Sequence, residues 1–305
     1  MNYESLLSDI CAGDNSYVVL TAENRAHIRG LPAILGDRFI DFGIAEQTMI
    51  GASAGLATSG RIPIAHALAA FLTMRPFEFI RTDIGIPALP VKLVGYVPGL
   101  LSEANGPTHQ AIEDVALMRG IPNMKVFCPA DEEDLLLGLP HVLQDPAPWY
   151  VRFNARPPVA RHTPFITGRA EVLSEGTDVA ILVYGTLFTE AVGAALRLKD
   201  RGIGVRLVNL RTLSPVDREA ILEAANRCSL TVTLEDHLAT GGLWSIVAET
   251  LLSGGTTARV HRICLEERWF RPALLRDVLS YEGFDEARLA ARIENALEAL
   301  QEEQQ

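Results

Sequence analysis

The chain has 305 residues, 48% of them hydrophobic and 21% charged, the composition of a folded globular protein rather than a disordered one. At roughly 150 residues per domain, this length predicts two domains. Thirty-eight acidic against 27 basic residues leave a net charge of −11, which argues against a nucleic-acid or anionic-membrane binder, since either needs a basic face.

The first residues, Met1-Asn2-Tyr3-Glu4-Ser5, lack the basic and apolar regions of a secretory signal. Charge-free stretches such as 47–60 and 62–74 fall short of the ~18–20 residues of a membrane helix. Cys11, Cys128, Cys228 and Cys264 are far apart and form no C-x-x-C pair. They read as reduced, buried thiols of a cytoplasmic protein, not as a disulfide framework or a zinc site.

In chain order, short β-branched apolar runs alternate with helical patterns. Strands are expected at 17–21, 62–66, 91–96, 124–128 and 149–153, and helices at 45–58, 74–83, 112–119 and 132–143. Such an order implies a parallel sheet covered on both faces. Residues 154–164, N-A-R-P-P-V-A-R-H-T-P, carry three prolines and no apolar periodicity, which is linker chemistry. A second series follows, with strands at 179–183, 205–209, 230–234 and 259–264 and helices at 189–199, 217–225, 243–251 and 285–301. Leu289, Ile293, Leu297 and Leu300 give the last helix an apolar stripe for docking on a sheet. Residues 302–305 are expected to fray. The class is α/β with two doubly wound sheet domains: 1–155, a linker at 156–164, and 165–305.

In such sheets ligands dock at the carboxyl ends of the strands, so the loops there carry the chemistry. No phosphate-binding G-x-x-x-x-G-K-[ST], dinucleotide fingerprint, zinc motif or G-x-S-x-G elbow is present, and no metal site is expected in this chain. Asp41-Phe42-Gly43-Ile44-Ala45-Glu46-Gln47 leaves a strand and opens a helix rich in small residues, Gly51-Ala52-Ser53-Ala54-Gly55. Glycine in a helix interior costs ~1 kcal/mol relative to alanine, so its use suggests the close approach of another backbone. Glu46, in the first turn, is either a functional carboxylate or one placed to suit the helix dipole. Asn105-Gly106-Pro107-Thr108-His109-Gln110 projects a histidine from a Gly-Pro turn. Arg152 ends an otherwise apolar strand, as a ligand group or as half of a structural ion pair.

Together these segments resemble the transketolase and deoxyxylulose-phosphate synthase group. The resemblance rests on Arg38 through Gln47, on Gly106-Pro107-Thr108-His109-Gln110, and on Ile121-Pro122-Asn123-Met124 leading to Pro129-Ala130-Asp131. In the second half it rests on Tyr184-Gly185-Thr186, Leu213-Ser214-Pro215-Val216-Asp217 and Glu235-Asp236-His237 with Gly241-Gly242-Leu243. It implies a pyrimidine-binding domain followed by a transketolase C-terminal domain. The family binds thiamine diphosphate and Mg²⁺ through a G-D-G…N motif that this sequence lacks. The chain is therefore expected to be the C-terminal subunit of a split transketolase, whose N-terminal partner subunit carries that motif, in an α2β2 assembly.

The resemblance also implies roles. Glu46 would hydrogen-bond the cofactor's aminopyrimidine and promote the tautomer whose nitrogen takes the proton from the thiazolium carbon. Phe71, or Phe77, would stack on that ring. His109 would address the substrate's oxygens, and Arg152 would grip a substrate phosphate. Asn105 replaces the aspartate that contacts the acceptor's hydroxyl, and Asn can both donate and accept. Val97 stands where many transketolases place a phosphate-binding histidine, which leaves Arg152 with Arg25 or His27 as substitutes. The expected reaction moves a two-carbon ketol unit from a ketose to an aldehyde acceptor other than an ordinary sugar phosphate. The alternatives are a 2-oxo acid dehydrogenase β subunit-like enzyme and a non-catalytic scaffold.

Overall fold

The computed structural model describes residues 1–302; the last three residues of the expected fraying end lie outside the described residues. Among the described residues twelve strands build two sheets. The first series comprises β1 (Tyr17–Thr21), β2 (Phe39–Asp41), β3 (Ile62–Leu68), β4 (Lys92–Tyr96), β5 (Lys125–Phe127) and β6 (Trp149–Arg152). The second comprises β7 (Glu171–Ser174), β8 (Val179–Val183), β9 (Val205–Asn209), β10 (Thr212–Ser214), β11 (Leu230–Leu238) and β12 (Val260–Leu265). Strands β1, β4, β6, β8 and β9 are buried along their whole length, as parallel strands covered on both faces must be.

The first sheet runs β10-β5-β6-β4-β3-β1-β2 and the second β12-β11-β8-β9-β7. Pairing is parallel except at two edges, where β10 joins β5 and β7 joins β9 antiparallel. β10 is therefore a strand from the second half of the chain that completes the first sheet. The apolar patterning does not predict it, nor the short strand β7, nor the helices Tyr3–Gly13 and Leu275–Glu282. The helix expected at 74–83 is broken instead: Ala69–Met74 ends before Pro76, and a one-turn helix and a wider π turn follow to Gly85. Proline in a helix interior removes a hydrogen bond and clashes with the preceding turn.

One apolar core runs through both sheets, joining Cys128 and Tyr150 to Leu182, Tyr184 and Leu210. The proline-rich segment between the sheets forms neither helix nor strand, yet it is tied down. The His162 side chain has no exposed surface and lies between Asp131 (2.9 Å) and Glu171 (2.7 Å). Arg156 pairs with Glu190 at 2.8 Å.

Candidate active site

From β1 the chain passes to β2 on one side and then crosses to β3 on the other, so the loops after β1 and β3 diverge at a topological switch point. A cleft of about 750 Å³ opens there. The loops after β1, β2, β3 and β4 all reach it, bringing Arg25, Arg29, Glu46, Phe71, Arg75 and His109 to its walls.

Glu46 is the first residue of the helix Glu46–Thr58 and is only 4% exposed, so it is not a solvated dipole partner. A carboxylate this deep needs a partner, and it has one: Arg75 Nη1 donates to Glu46 Oε1 at 2.8 Å. Arg75 also covers the Phe71 ring, its guanidinium carbon 3.8 Å from the ring centroid. Phe71 packs on Ala69, Ala70 and Ala111. The His109 imidazole meets it edge-on, with centroids 4.9 Å apart and planes at 65°. Thr108 Oγ1 lies 2.8 Å from His109 Nδ1, which fixes the ring's orientation.

Glu46, Phe71 and His109 thus converge. Phe77 does not join them; it packs against the core. Asn105, exposed in the 3-10 segment Leu100–Thr108, does not line the cleft either. Arg152 requires a correction. It is 0% exposed, Nε pairs with Asp114 at 2.9 Å and Nη1 with Asp236 at 2.7 Å, and Nη2 donates to the Ala111 carbonyl. Burial opposes its charge, but Asp114 and Asp236 outweigh burial and hold its pKa well above the ordinary value. A guanidinium already committed to two carboxylates and a carbonyl is no phosphate clamp. His27 packs its ring on Tyr96 and Phe153 and is not in the cleft wall. Arg25 reaches the wall but is paired with Asp41, Nε to Oδ2 at 2.9 Å.

Two further arginines in the cleft are not expected from the motifs. Arg75 had a signal: it follows Phe71 by four residues, the spacing that places a side chain over its neighbour one helical turn earlier. Arg29, on the loop after β1, had none. The expected approach of another backbone to Gly51 and Gly55 is not made within this chain, since nothing lies within 4 Å of a Cβ built at either.

A buried carboxylate beside an aromatic face, at the strand ends of an α/β sheet, suits a protein of the class that binds a flat, nitrogen-bearing ring. Known proteins agree with that class. The model for the transketolase pyrimidine binding domain matches residues 13–156, and that for the transketolase C-terminal domain matches residues 168–289. The chain belongs to the transketolase family, with the domain content of the C-terminal subunit of a split transketolase. The 6-deoxy-6-sulfo-D-fructose transketolase subunit of Clostridium sp. (strain MSTE9) is 38% identical over 254 residues, 82% of this chain and 79% of that protein. An apulose-4-phosphate transketolase subunit of Phocaeicola vulgatus is 32% identical over 269 residues, 85% of each. A solved split-gene transketolase, described as an inactive β4 tetramer, superposes with a TM-score of 0.86 at 34% identity and covers 97% of this chain and 96% of its own. Transketolase from Pichia stipitis, at 19% identity and a TM-score of 0.78, shares the fold over 99% of this chain and 46% of its own length.

Proposed function

We propose that this chain works with a separate N-terminal subunit as a two-subunit ketol transferase, moving a two-carbon unit from a ketose to an aldehyde acceptor that is not an ordinary sugar phosphate. The observation that carries the reading is the convergence of Glu46, Phe71 and His109 in one cleft at the switch point. This donor set fits the aminopyrimidine of thiamine diphosphate, a carboxylate for its edge and an aromatic ring for its face. The cofactor, when bound, supplies a carbon nucleophile and an electron sink for carbon–carbon cleavage.

Glu46 would hold the ring edge and its proton, and Phe71 would support the ring face. His109, at the other side of Phe71, would bind the substrate oxygen on which charge develops.

The diphosphate and Mg²⁺ are assigned to the partner subunit. The sequence has no G-D-G motif, and among the described residues no group of three His, Cys, Asp or Glu could hold a metal ion. Relatives of similar length are themselves subunits, and the open glycine face of the helix Glu46–Thr58 suits a neighbouring chain. An α2β2 assembly follows, with each site at a subunit interface. Among the described residues no helix is long and apolar enough to cross a membrane. The four free cysteines fit a reducing cytoplasm.

The substrate restriction rests on charge. Arg152 is committed to Asp114 and Asp236 and Arg25 to Asp41, so of the arginines considered for a substrate anion Arg29 and Arg75 remain, both solvent-exposed. A phosphate dianion would lose hydration without recovering enough charge-assisted bonds. The sugars in the relatives' names, a sulfo-deoxy fructose and apulose 4-phosphate, are ketoses outside the ordinary pentose and hexose phosphates, and as ketoses they bear on the donor.

The test is an acceptor series on the complex reconstituted from both subunits. Ribose 5-phosphate should give a lower kcat/KM than the best unphosphorylated aldehyde; parity or better would sink the substrate reading. In the same complex Glu46→Gln should lower turnover by at least about a hundredfold with assembly intact by size exclusion. Unchanged turnover would favour the scaffold reading.

A further inference from the structure

Arg75 occupies the place that the site is built to give to a flat, nitrogen-bearing ring. Its guanidinium lies over Phe71 at 3.8 Å and donates in-plane to Glu46 at 2.8 Å. Phe71 rests on Ala69, Ala70 and Ala111 and meets His109 edge-on, so the face under Arg75 is the one turned to the cleft. A guanidinium is planar and delocalised, stacks on aromatic rings and pairs with carboxylates through in-plane N–H groups. An aminopyrimidine presents the same features: a flat π face and polar nitrogens in its plane.

We propose that Arg75 is a placeholder for the cofactor's aminopyrimidine: it satisfies Glu46 and covers Phe71 in the unloaded subunit, and has to leave both when the cofactor binds. This inference rests on the reading that the cleft takes thiamine diphosphate. The placeholder answers a physical problem. A carboxylate buried to 4% exposure is costly without a partner, and a partner subunit or cofactor is not always there to supply one. Arg75 is suited to leave. Its side chain is 42% exposed, and the residue lies just past the end of the helix Ala69–Met74, so it can swing into solvent without opening the core. Its contacts are of the modest kind, a half-exposed ion pair and a cation–π contact.

Competition of this kind predicts that removing Arg75 tightens cofactor binding. The experiment uses the complex of this chain with its N-terminal subunit, titrated calorimetrically with thiamine diphosphate at saturating Mg²⁺. Stopped-flow fluorescence gives the association rate. Arg75→Ala should lower Kd by about tenfold, the equivalent of losing one such pair of contacts from the unloaded state, and should speed association. Arg75→Lys, which keeps the charge but not the flat stacking surface, should fall between the two. A Kd for Arg75→Ala equal to or weaker than wild type would overturn the placeholder. A wild-type complex that binds no cofactor would overturn the reading beneath it, so the two failures are distinguishable.

Discussion

A guanidinium with no exposed surface has to find its counter-charges inside the protein, and Arg152 finds two, from residues far along the chain. Asp114 precedes it by 38 positions and Asp236 follows it by 84. Its place at the end of β6 leaves a ligand group and half of an ion pair equally open, because nothing local shows where the acids come from. The cluster is closed by Tyr150, which donates to Asp114 at 2.6 Å, and by Thr186, which donates to Asp236. Arg152→Met would leave two buried carboxylates with no cation, a change that costs about 3–5 kcal/mol. The expected result is a drop of that size in unfolding free energy by denaturant titration. In the reconstituted enzyme, KM for phosphorylated and unphosphorylated acceptors should move together. A KM rise confined to phosphorylated acceptors would return Arg152 to the substrate.

The element that depends most directly on this cluster is the segment Leu100–Thr108, which ends at His109. It hangs from Gly99, whose N–H donates to the Ala111 carbonyl at 2.9 Å, the same carbonyl that Arg152 holds. Gly99 has φ +58°, and a Cβ there would fall 1.7 Å from Asp236 Oδ2. Only glycine fits, on backbone and on space. Gly99→Ala should cost about 3 kcal/mol or more and lower kcat/KM through the displaced His109. Gly13→Ala, with nothing within 4 Å of its Cβ, should stay near wild type in both. Unfolding midpoints and steady-state kinetics on the complex give both readings, and equal behaviour of the two variants would refute the role given to Gly99. How far such elements show in a sequence depends on their length and burial. The fully buried β1, β8 and β9 are legible to the residue, because β-branched and other apolar residues dominate them, even in β9 where Arg206 interrupts the run. The edge strands β7 and β10 are three or four residues with mixed polarity, and their pairing comes from the other sheet strand rather than from their own pattern. In the site, Glu46, Phe71 and His109 are carried by contiguous motifs. The cation on Phe71 is its neighbour one helical turn on, Arg75, whereas the acids on Arg152 are tertiary facts, made by segments that no local spacing connects.

At the scale of the molecule, the two sheets share one core and are clasped by charge. β10 crosses into the first sheet, and His162 bridges Asp131 at the start of the helix Glu132–Gln144 to Glu171 on β7. Arg211 reinforces the same seam, with Nε 2.7 Å from Asp134 and Nη2 donating to the Thr163 carbonyl at 2.7 Å. Burial lowers the pKa of His162, but its hydrogen bonds to Asp131 and Glu171 prevail and raise it from 6.5 to about 10. Glu171, which burial alone would raise, is brought down from 4.5 to about 2 by His162, the Thr163 N–H and Arg211. The histidine's contribution is fully present below pH 6.5 and is lost as pH rises through about 10. The glutamate's is present above pH 4.5 and is lost as pH falls through about 2. The clasp is therefore strongest between about pH 4.5 and 6.5 and loosens steadily on the alkaline side. Glu235, pushed up to about 8 by burial, also lowers stability as pH rises from 4.5 through 8, so the wild-type profile alone does not isolate the clasp. The difference from His162→Gln does. Thermal unfolding followed by circular dichroism should give the variant a lower Tm at pH 6, and the gap should shrink towards pH 10. Parallel profiles would mean that the histidine carries no charge in the seam.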